Sequence, residues 1–366
     1  KQVKFPLATD ASNAAIQVLK EGEVQGSDMV AHSAGILDIK TNILPNADAL
    51  FLIAIDPYGH ELWRWTFPVD KLNRETEQFS ASSGRASYTE TEKGITVKAN
   101  GRTFVFSKKD GQLKDVSVNN RKISFANGPR FIGARRADRS LDQFYNHDDE
   151  KAKAKDRTYS EFTDAAVFTK LDVKEEGGNL ILTANYKLGN LDKAQWTIHP
   201  DGMATLDYTY NFSGVVDLMG ICFDYPEEQV LSKRWLGAGP YRVWQNRIHG
   251  AQYDIWENDY NDPIPGETFT YPEFKGYFGS VSWMSIRTKE GTISLTNETP
   301  DSYIGVYQPR DGRDRLLYTL PESGISVLNV IPPVRNKVNS TDLCGPSSQP
   351  KWVDGPQTGR LVLRFE

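Results

Sequence analysis

The sequence predicts an all-β fold in which a small sandwich is followed by a larger one. Apolar and polar residues alternate with a period of two along most of the chain, which is typical of strands that bury one face. Turn residues such as Asp110-Gly111 and Pro200-Asp201-Gly202 separate the alternating runs. A chain of 366 residues also exceeds the size that one hydrophobic core usually serves, so two domains are expected.

The first domain is predicted at residues 1–78. Cap residues at both ends of segment 12–23 favour a short helix there. Strands are then predicted in D-M-V-A-H-S (28–33), I-L-D-I-K-T-N-I-L (36–44), A-L-F-L-I-A-I-D (49–56) and E-L-W-R-W-T-F (61–67). Residues 71–84 are polar and small, which is typical of a linker between domains.

The second domain is predicted at residues 84–366. Its alternating runs include G-I-T-V-K-A (94–99), R-T-F-V-F-S (102–107), N-L-I-L-T-A-N-Y-K-L (179–188), A-T-L-D-Y-T-Y-N-F (204–212), T-I-S-L-T-N (292–297) and R-L-V-L-R-F-E (360–366). At least ten strands follow Gly84, which suits a large sandwich of two sheets. The sequence shows no repeat of about 20 to 50 residues, so solenoids and propellers are disfavoured.

Composition disfavours several classes of binding partner and site. A net charge of −5 with interspersed acids and bases offers no basic stripe for nucleic acid. No apolar run reaches the roughly 18 residues of a membrane-spanning helix. The only cysteines, Cys222 and Cys344, exclude a disulfide framework and a cysteine-based zinc cluster, and the sequence leaves open whether they pair. The first residues lack the pattern of a signal peptide, so the chain is expected to be a processed or excised piece.

The stretch Trp235 to Trp256, W-L-G-A-G-P-Y-R-V-W-Q-N-R-I-H-G-A-Q-Y-D-I-W, has neither helical nor strand periodicity. It predicts a rigid loop that presents flat rings and hydrogen-bonding groups, a combination that suits a sugar ring. The predicted substrate-binding residues in it are Arg242, Trp244, Arg247 and His249. The alternative is that its rings pack in the interior at a corner of the sandwich.

Residues 237–247, G-A-G-P-Y-R-V-W-Q-N-R, resemble the signature G-x-G-P-x-E-x-Y-x-D-R in the C-terminal domain of the β-galactosidases of glycoside hydrolase family 2. Arg242, Trp244 and Asn246 replace the Glu, Tyr and Asp of that signature. Residues 104–113 and 128–138 are similar to two upstream segments of the same domain. Residues 49–67 resemble the end of the immunoglobulin-like domain that precedes it.

This resemblance implies a galactose-mutarotase-like supersandwich at 84–366 after an immunoglobulin-like sandwich at 1–78. In that family both domains are accessory to a catalytic (β/α)₈ barrel, and a loop near the C-terminal end contributes to the sugar site. The matching region here is Asn336 to Trp352, which adds Asn336, Asp342 and Trp352 to the predicted substrate-binding residues.

The chain itself shows no alternation of strands with amphipathic helices, so it is expected to lack the barrel. In such enzymes two carboxyl groups flank the scissile bond, and the relatives carry both on the barrel. The predicted function is therefore carbohydrate binding that supports an active site on a separate barrel, without catalytic residues, cofactor or metal in this chain. Its expected partners are a carbohydrate and that barrel, and an extracytoplasmic location is favoured for a glycan-degrading parent.

Two alternatives stay open. One is a stand-alone carbohydrate-binding module. The other is a sugar epimerase that uses His199 or His249 as acid and Asp254 or Glu257 as base. His199 precedes a turn, and a loop histidine such as His249 is more often satisfied by the backbone, so both have simpler structural explanations.

The remaining candidates are aromatic and arginine side chains. Four tryptophans in alternating strands are predicted to be core residues: Trp63, Trp65, Trp196 and Trp283. Arg242, Arg247 and the arginines of segment 308–313 could clamp an acidic sugar, which leads to the hypothesis that the parent enzyme acts on an anionic glycan.

Overall fold

The computed structural model describes residues 3–5, 13–30, 37–39, 47–69, 84–136, 159–162, 164–259, 276–306, 323–333 and 349–366. Within these residues the only helical element is a 3-10 helix at Glu227–Gln229, and no helix is long and apolar enough to cross a membrane. The prediction of an all-β chain is confirmed. The chain divides into two compact units, Lys1–Ser82 with Tyr253–Ile255 and Ser83–Gln252 with Trp256–Glu366. The predicted domain boundaries at residues 78 and 84 stay predictions.

The first unit contains a four-stranded antiparallel sheet and a separate two-stranded pair. Its strands are β1 (Val3–Phe5), β2 (Asn13–Lys20), β3 (Glu23–Val30), β4 (Leu37–Ile39), β5 (Ala49–Ile55) and β6 (Glu61–Pro68). The four-stranded sheet has the order β3-β2-β5-β6, and β1 pairs with β4. A small core on one face of the sheet contains Ala14, Ile16 and Leu52, against which Trp65 and Phe67 pack.

The helix predicted at 12–23 is wrong, because residues 13–20 form β2 and residues 21 and 22 form the turn into β3. Glu21 and Gly22 have φ angles of 49° and 80°, the left-handed values of a tight hairpin turn. Both faces of β2 are apolar, since Ala14 and Ile16 lie on one face and Ala15 and Leu19 on the other. Burial on both faces hides the period of two that would have identified a strand.

The second unit is built from two large antiparallel sheets. Its first strands are β7 (Ser87–Glu90), β8 (Gly94–Ala99), β9 (Arg102–Ser107), β10 (Leu113–Val118), β11 (Arg121–Ile123), β12 (Ala126–Arg136), β13 (Tyr159–Glu161), β14 (Val167–Glu176), β15 (Asn179–Lys187), β16 (Leu191–Ile198) and β17 (Ala204–Asn211). Its later strands are β18 (Gly214–Val216), β19 (Leu218–Asp224), β20 (Val230–Gly239), β21 (Gln252–Asp259), β22 (Phe278–Gly279), β23 (Trp283–Thr288), β24 (Thr292–Asn297), β25 (Tyr303–Gly305), β26 (Ile325–Val330), β27 (Lys351–Val353) and β28 (Pro356–Phe365).

The strands of this unit pair in three sheets. An 11-stranded sheet runs β22-β25-β26-β19-β12-β10-β9-β8-β7, with β11 beside β10 and β13 beside β12. A nine-stranded sheet runs β14-β15-β16-β17-β28-β24-β23-β20-β21, and β18 and β27 form a two-stranded ribbon. The predicted large sandwich with at least ten strands after Gly84 is confirmed.

One aromatic core fills the space between the large sheets. Trp196 is fully buried and makes edge contacts with Phe106 at 5.8 Å and Phe223 at 6.0 Å between ring centroids. The prediction of Trp196 as a core residue is confirmed. Trp65 and Trp283 are half-buried, but Trp63 is 49% exposed near the start of β6, so its prediction as a core residue is wrong.

Gly220 on β19 is predicted to be indispensable for strand pairing in the 11-stranded sheet. A Cβ at this position would overlap the Val327 carbonyl oxygen and lie 2.7 Å from the Leu328 Cα, and neither backbone atom can rotate away. Gly220→Ala should lower the free energy of unfolding by about 1 to 3 kcal/mol, measured by urea denaturation. Gly84→Ala is the control, since its Cβ would lie no closer than 3.9 Å to a neighbour. Equal stability of the two variants would contradict the assigned pairing of β19 with β26.

Candidate functional site

The two ends of the stretch 235–256 are strands rather than a loop. Trp235 lies on β20 and is fully buried, with its ring edge-on to Phe278 at 4.8 Å and its Nε1 donating to the Ala238 carbonyl at 3.0 Å. Trp256 lies on β21, and its ring occupies the place where a Cβ on residue 239 would be, with Cγ only 2.6 Å away. Gly239 is therefore required for close packing against Trp256, and only residues 240–251 connect the strands.

The connecting residues fold back over the outer face of the 11-stranded sheet. Val243 and Tyr277 exchange two backbone hydrogen bonds, of 2.7 and 3.0 Å. This pairing closes a second hydrophobic core that faces away from the main one. Its members are Ile132, Ala134, Leu218, Cys222, Val243, Trp244, Tyr277, Leu328 and Ile331. We refer to this cluster as the outer core.

Trp244 is an outer-core residue. It is only 4% exposed, and its ring lies edge-on to Tyr277 with 5.7 Å between centroids. Arg242 is equally buried, at 4% exposure. Both side chains are buried, which matches interior packing, the alternative for this stretch, and their substrate-binding role stays a prediction. Trp244 is buried because the outer face of the sheet carries apolar side chains, and its indole ring covers them.

A tight turn presents the next residues to solvent. The backbone N–H and C=O groups of Trp244 and Arg247 pair with each other at 3.3 and 2.9 Å. Arg247, Ile248 and His249 follow this turn and are exposed. Substrate-binding roles of Arg247 and His249 stay predictions, and the structure leaves both side chains accessible.

Trp352 is the most exposed of the eight tryptophans, at 71%. It lies on β27 opposite Val215 of β18, so it belongs to a strand rather than to the predicted loop. Val353 packs against the main core, and the Ser213 hydroxyl donates to the Asp354 carboxylate at 2.6 Å. The indole is thus held on an anchored ribbon while its ring faces solvent.

The exposed turn and the ribbon are joined directly. The side-chain amide of Gln245 donates to the Gln349 carbonyl at 2.9 Å, two residues before β27 begins. We call the exposed residues 247–249 together with Trp352 the turn–ribbon surface. Asn336 and Asp342, the other predicted substrate-binding residues, lie outside the described residues, as does Cys344.

The residues considered for epimerase chemistry are distributed differently. His199 lies at the end of β16, is 7% exposed, and its Nε2 is 2.9 Å from the Thr205 hydroxyl. Burial lowers the pKa of His199, which favours the neutral imidazole. The N–H of Gly202 donates to the His199 carbonyl, so the predicted turn after it is confirmed. His249 and Glu257 are exposed, and Asp254 accepts a hydrogen bond from the backbone N–H of Ile255.

Cys222 is a free thiol in the outer core. It is 1% exposed, and burial raises its pKa to about 12. The described residues hold no group of three or more His, Cys, Asp or Glu side chains placed to bind a metal ion.

Comparison with known families decides the identity of the second unit. The family model described as beta galactosidase small chain matches residues 98–328, more than half of the chain. The chain belongs to the beta galactosidase small chain family. This match confirms the resemblance predicted for the C-terminal domain, and the exposed turn and the outer-core residues Val243 and Trp244 lie inside the matched range.

Solved structures with a similar arrangement include two sugar-related proteins. The galactose 1-epimerase from Lactobacillus acidophilus NCFM is 11% identical, with a TM-score of 0.40, over 78% of this chain and 99% of its own. YeaD from Salmonella typhimurium, described as a mutarotase, is 8% identical, with a TM-score of 0.34, over 77% and 93% of the respective chains. The comparison with curated protein sequences found no match.

Replacement of Trp244 is predicted to lower stability much more than replacement of Trp352. Trp244→Ala removes an outer-core ring and should lower the free energy of unfolding by about 3 to 5 kcal/mol in urea denaturation. Trp352→Ala removes an exposed ring and should change it by no more than about 0.5 kcal/mol. A small effect of Trp244→Ala would contradict its assignment to the outer core.

The Cys222 thiol is predicted to be unreactive in the folded protein. In the variant Cys344→Ser, a thiol-specific disulfide reagent at pH 8 should leave the native protein unlabelled, because the thiolate is the reactive form and burial disfavours it. Urea should release one reactive thiol. Since the unfolded thiol ionises at its lower, ordinary pKa, its stabilising contribution should be present below that pKa and be lost as pH rises towards 12. Rapid labelling without urea would show that the outer core is open.

Proposed function

We propose that this chain binds carbohydrate through the turn–ribbon surface and in this way completes a sugar site whose catalytic groups lie on a separate barrel. The observation that carries the proposal is Trp352, which is 71% exposed although its ribbon is anchored on the C-terminal side. Membership of the beta galactosidase small chain family supports a sugar-related role.

The chemistry of the turn–ribbon surface fits a saccharide. A flat indole face can pack against the C–H face of a sugar ring, and its rigid mounting reduces the entropy lost on binding. Arg247 supplies guanidinium donors for hydroxyl groups, and His249 can donate or accept a hydrogen bond. These groups recognise and orient a sugar but do not by themselves break a glycosidic bond.

The division of labour with a separate barrel follows from the resemblance. Glycosidases of this kind need two carboxyl groups about 5 Å apart for retention, or about 6.5 to 9.5 Å apart for inversion. In the β-galactosidases that the sequence resembles, the barrel carries both. We infer that this chain contributes contacts to the bound sugar and that the barrel contributes the acid and the nucleophile or base.

The epimerase alternative receives less support from the geometry. His199 is buried in a turn and engages Thr205, and burial favours its neutral form. These observations fit a structural role, since a histidine that hands a proton to a sugar needs access to it.

Trp352→Ala is predicted to weaken saccharide binding. In isothermal titration of the chain with methyl β-D-galactoside, loss of the stacking ring should reduce affinity by about 1 to 3 kcal/mol, or roughly 5- to 150-fold. Trp63→Ala is the matched control, because Trp63 is also exposed, at 49%, but belongs to the first unit. The control should bind as the unchanged protein does.

Two results would contradict the proposal. Equal affinity of Trp352→Ala and Trp63→Ala would show that the turn–ribbon surface is not the sugar site. Hydrolysis of chromogenic glycosides by this chain alone would refute the assignment of catalysis to a separate barrel, and acceleration of galactose anomerisation would favour the epimerase instead.

A further inference from the structure

We infer that Gln245 is a positioning residue that holds Trp352 in place for sugar stacking. The inference deepens the proposed function and rests on it where ligand binding is concerned. Neither the sequence patterns nor the family signature distinguishes Gln245, which occupies an unspecified position of G-x-G-P-x-E-x-Y-x-D-R. Its role follows from the contacts on either side of it.

The chain before Gln245 is fixed by the outer core. Val243 is paired with Tyr277 through two backbone hydrogen bonds, and the Trp244 ring is buried against the Tyr277 ring. Packing of this density leaves the backbone at Gln245 little freedom to move. The backbone that carries the Gln245 side chain is therefore held in a fixed position.

Gln245 then makes two contacts with different segments. Its backbone N–H donates to the Pro332 carbonyl at 3.0 Å, just after the outer-core residue Ile331. Its side-chain Nε2 donates to the Gln349 carbonyl at 2.9 Å. The first contact holds the turn against the segment that follows β26. The second restrains the segment that leads into β27.

The β18–β27 ribbon needs support on its N-terminal side. β27 spans only three residues and pairs with the equally short β18. On its C-terminal side the ribbon is held by Val353 in the main core and by the Ser213 to Asp354 hydrogen bond. On its N-terminal side the Gln245 amide holds Gln349, three positions before Trp352. With this amide removed, the ribbon loses this restraint on its N-terminal side, and the indole samples more orientations.

The amide group is required because the acceptor is a carbonyl oxygen. Gln245→Met keeps the length of the side chain but has no donor. Gln245→Glu also keeps the length and places a carboxylate oxygen against the Gln349 carbonyl, which is repulsive. Both variants should have the same defect, whereas Gln252→Met, at an exposed glutamine on β21, serves as the control.

The test observes Trp352 directly. The chain contains eight tryptophans, so the protein is labelled with 5-fluorotryptophan, and the ¹⁹F resonance of Trp352 is assigned by its loss in Trp352→Phe. In Gln245→Met and Gln245→Glu, the Trp352 resonance should shift or broaden while that of buried Trp196 stays unchanged. The affinity for methyl β-D-galactoside should fall by about 2- to 10-fold, since ordering one side chain on binding has an entropic cost of this size.

The outcomes separate the inference from the proposed function. An unchanged Trp352 resonance in both Gln245 variants would overturn the positioning role. A shifted resonance with unchanged affinity, where Trp352→Ala loses affinity, would overturn it as well, because the tie would then have no consequence for binding. Failure of the unchanged protein to bind galactoside would refute the proposed function and the ligand part of this inference, while the ¹⁹F spectra would still decide whether Gln245 orders Trp352.

Discussion

The pairing of Val243 with Tyr277 is the contact on which the site depends. Two backbone hydrogen bonds fasten the chain leaving β20 to the outer face of the opposite sheet, and burial of Trp244 makes the attachment hydrophobic as well. This attachment fixes the start of the turn that displays Arg247, because Val243 directly precedes Trp244. A sandwich with the same two sheets but without this attachment would expose Cys222 and Leu328, and it would have no fixed surface beside the ribbon.

The burial of Trp244 changes the meaning of the departures from the family signature. Trp244 stands where the signature has Tyr, and Arg242 stands where it has Glu. If both faced a ligand, the replacements would point to a different sugar. Both are instead 4% exposed, and Trp244 fills the outer core, so its replacement of Tyr affects the packing there. The anionic-glycan hypothesis stays a prediction: Arg247 is exposed, Arg242 is buried, and segment 308–313 lies outside the described residues.

The sequence predicts strands correctly where one face of the strand is exposed to solvent. The runs in β8, β9, β15 and β17 are predicted because their polar and apolar residues alternate, and the predicted turn at Asp110-Gly111 has a left-handed φ of 72° at Gly111. It failed at β2, where both faces are apolar. It left Trp244 undecided between interior packing and a ligand contact, because an aromatic residue in an aperiodic segment has the same local sequence in either case. The tie from Gln245 to Gln349 joins residues 104 positions apart, and no local pattern encodes such a contact.

The position of β28 has a consequence for how the molecule assembles. This strand follows every other described strand in the sequence, yet it lies between β17 and β24 near the middle of the nine-stranded sheet. Until it inserts, β14 to β17 form one half-sheet and β20, β21, β23 and β24 form another, each with an unpaired edge. The nine-stranded sheet is therefore completed only after β28 has been synthesised, and a chain shortened before β28 would expose two unpaired strand edges that can pair with other molecules.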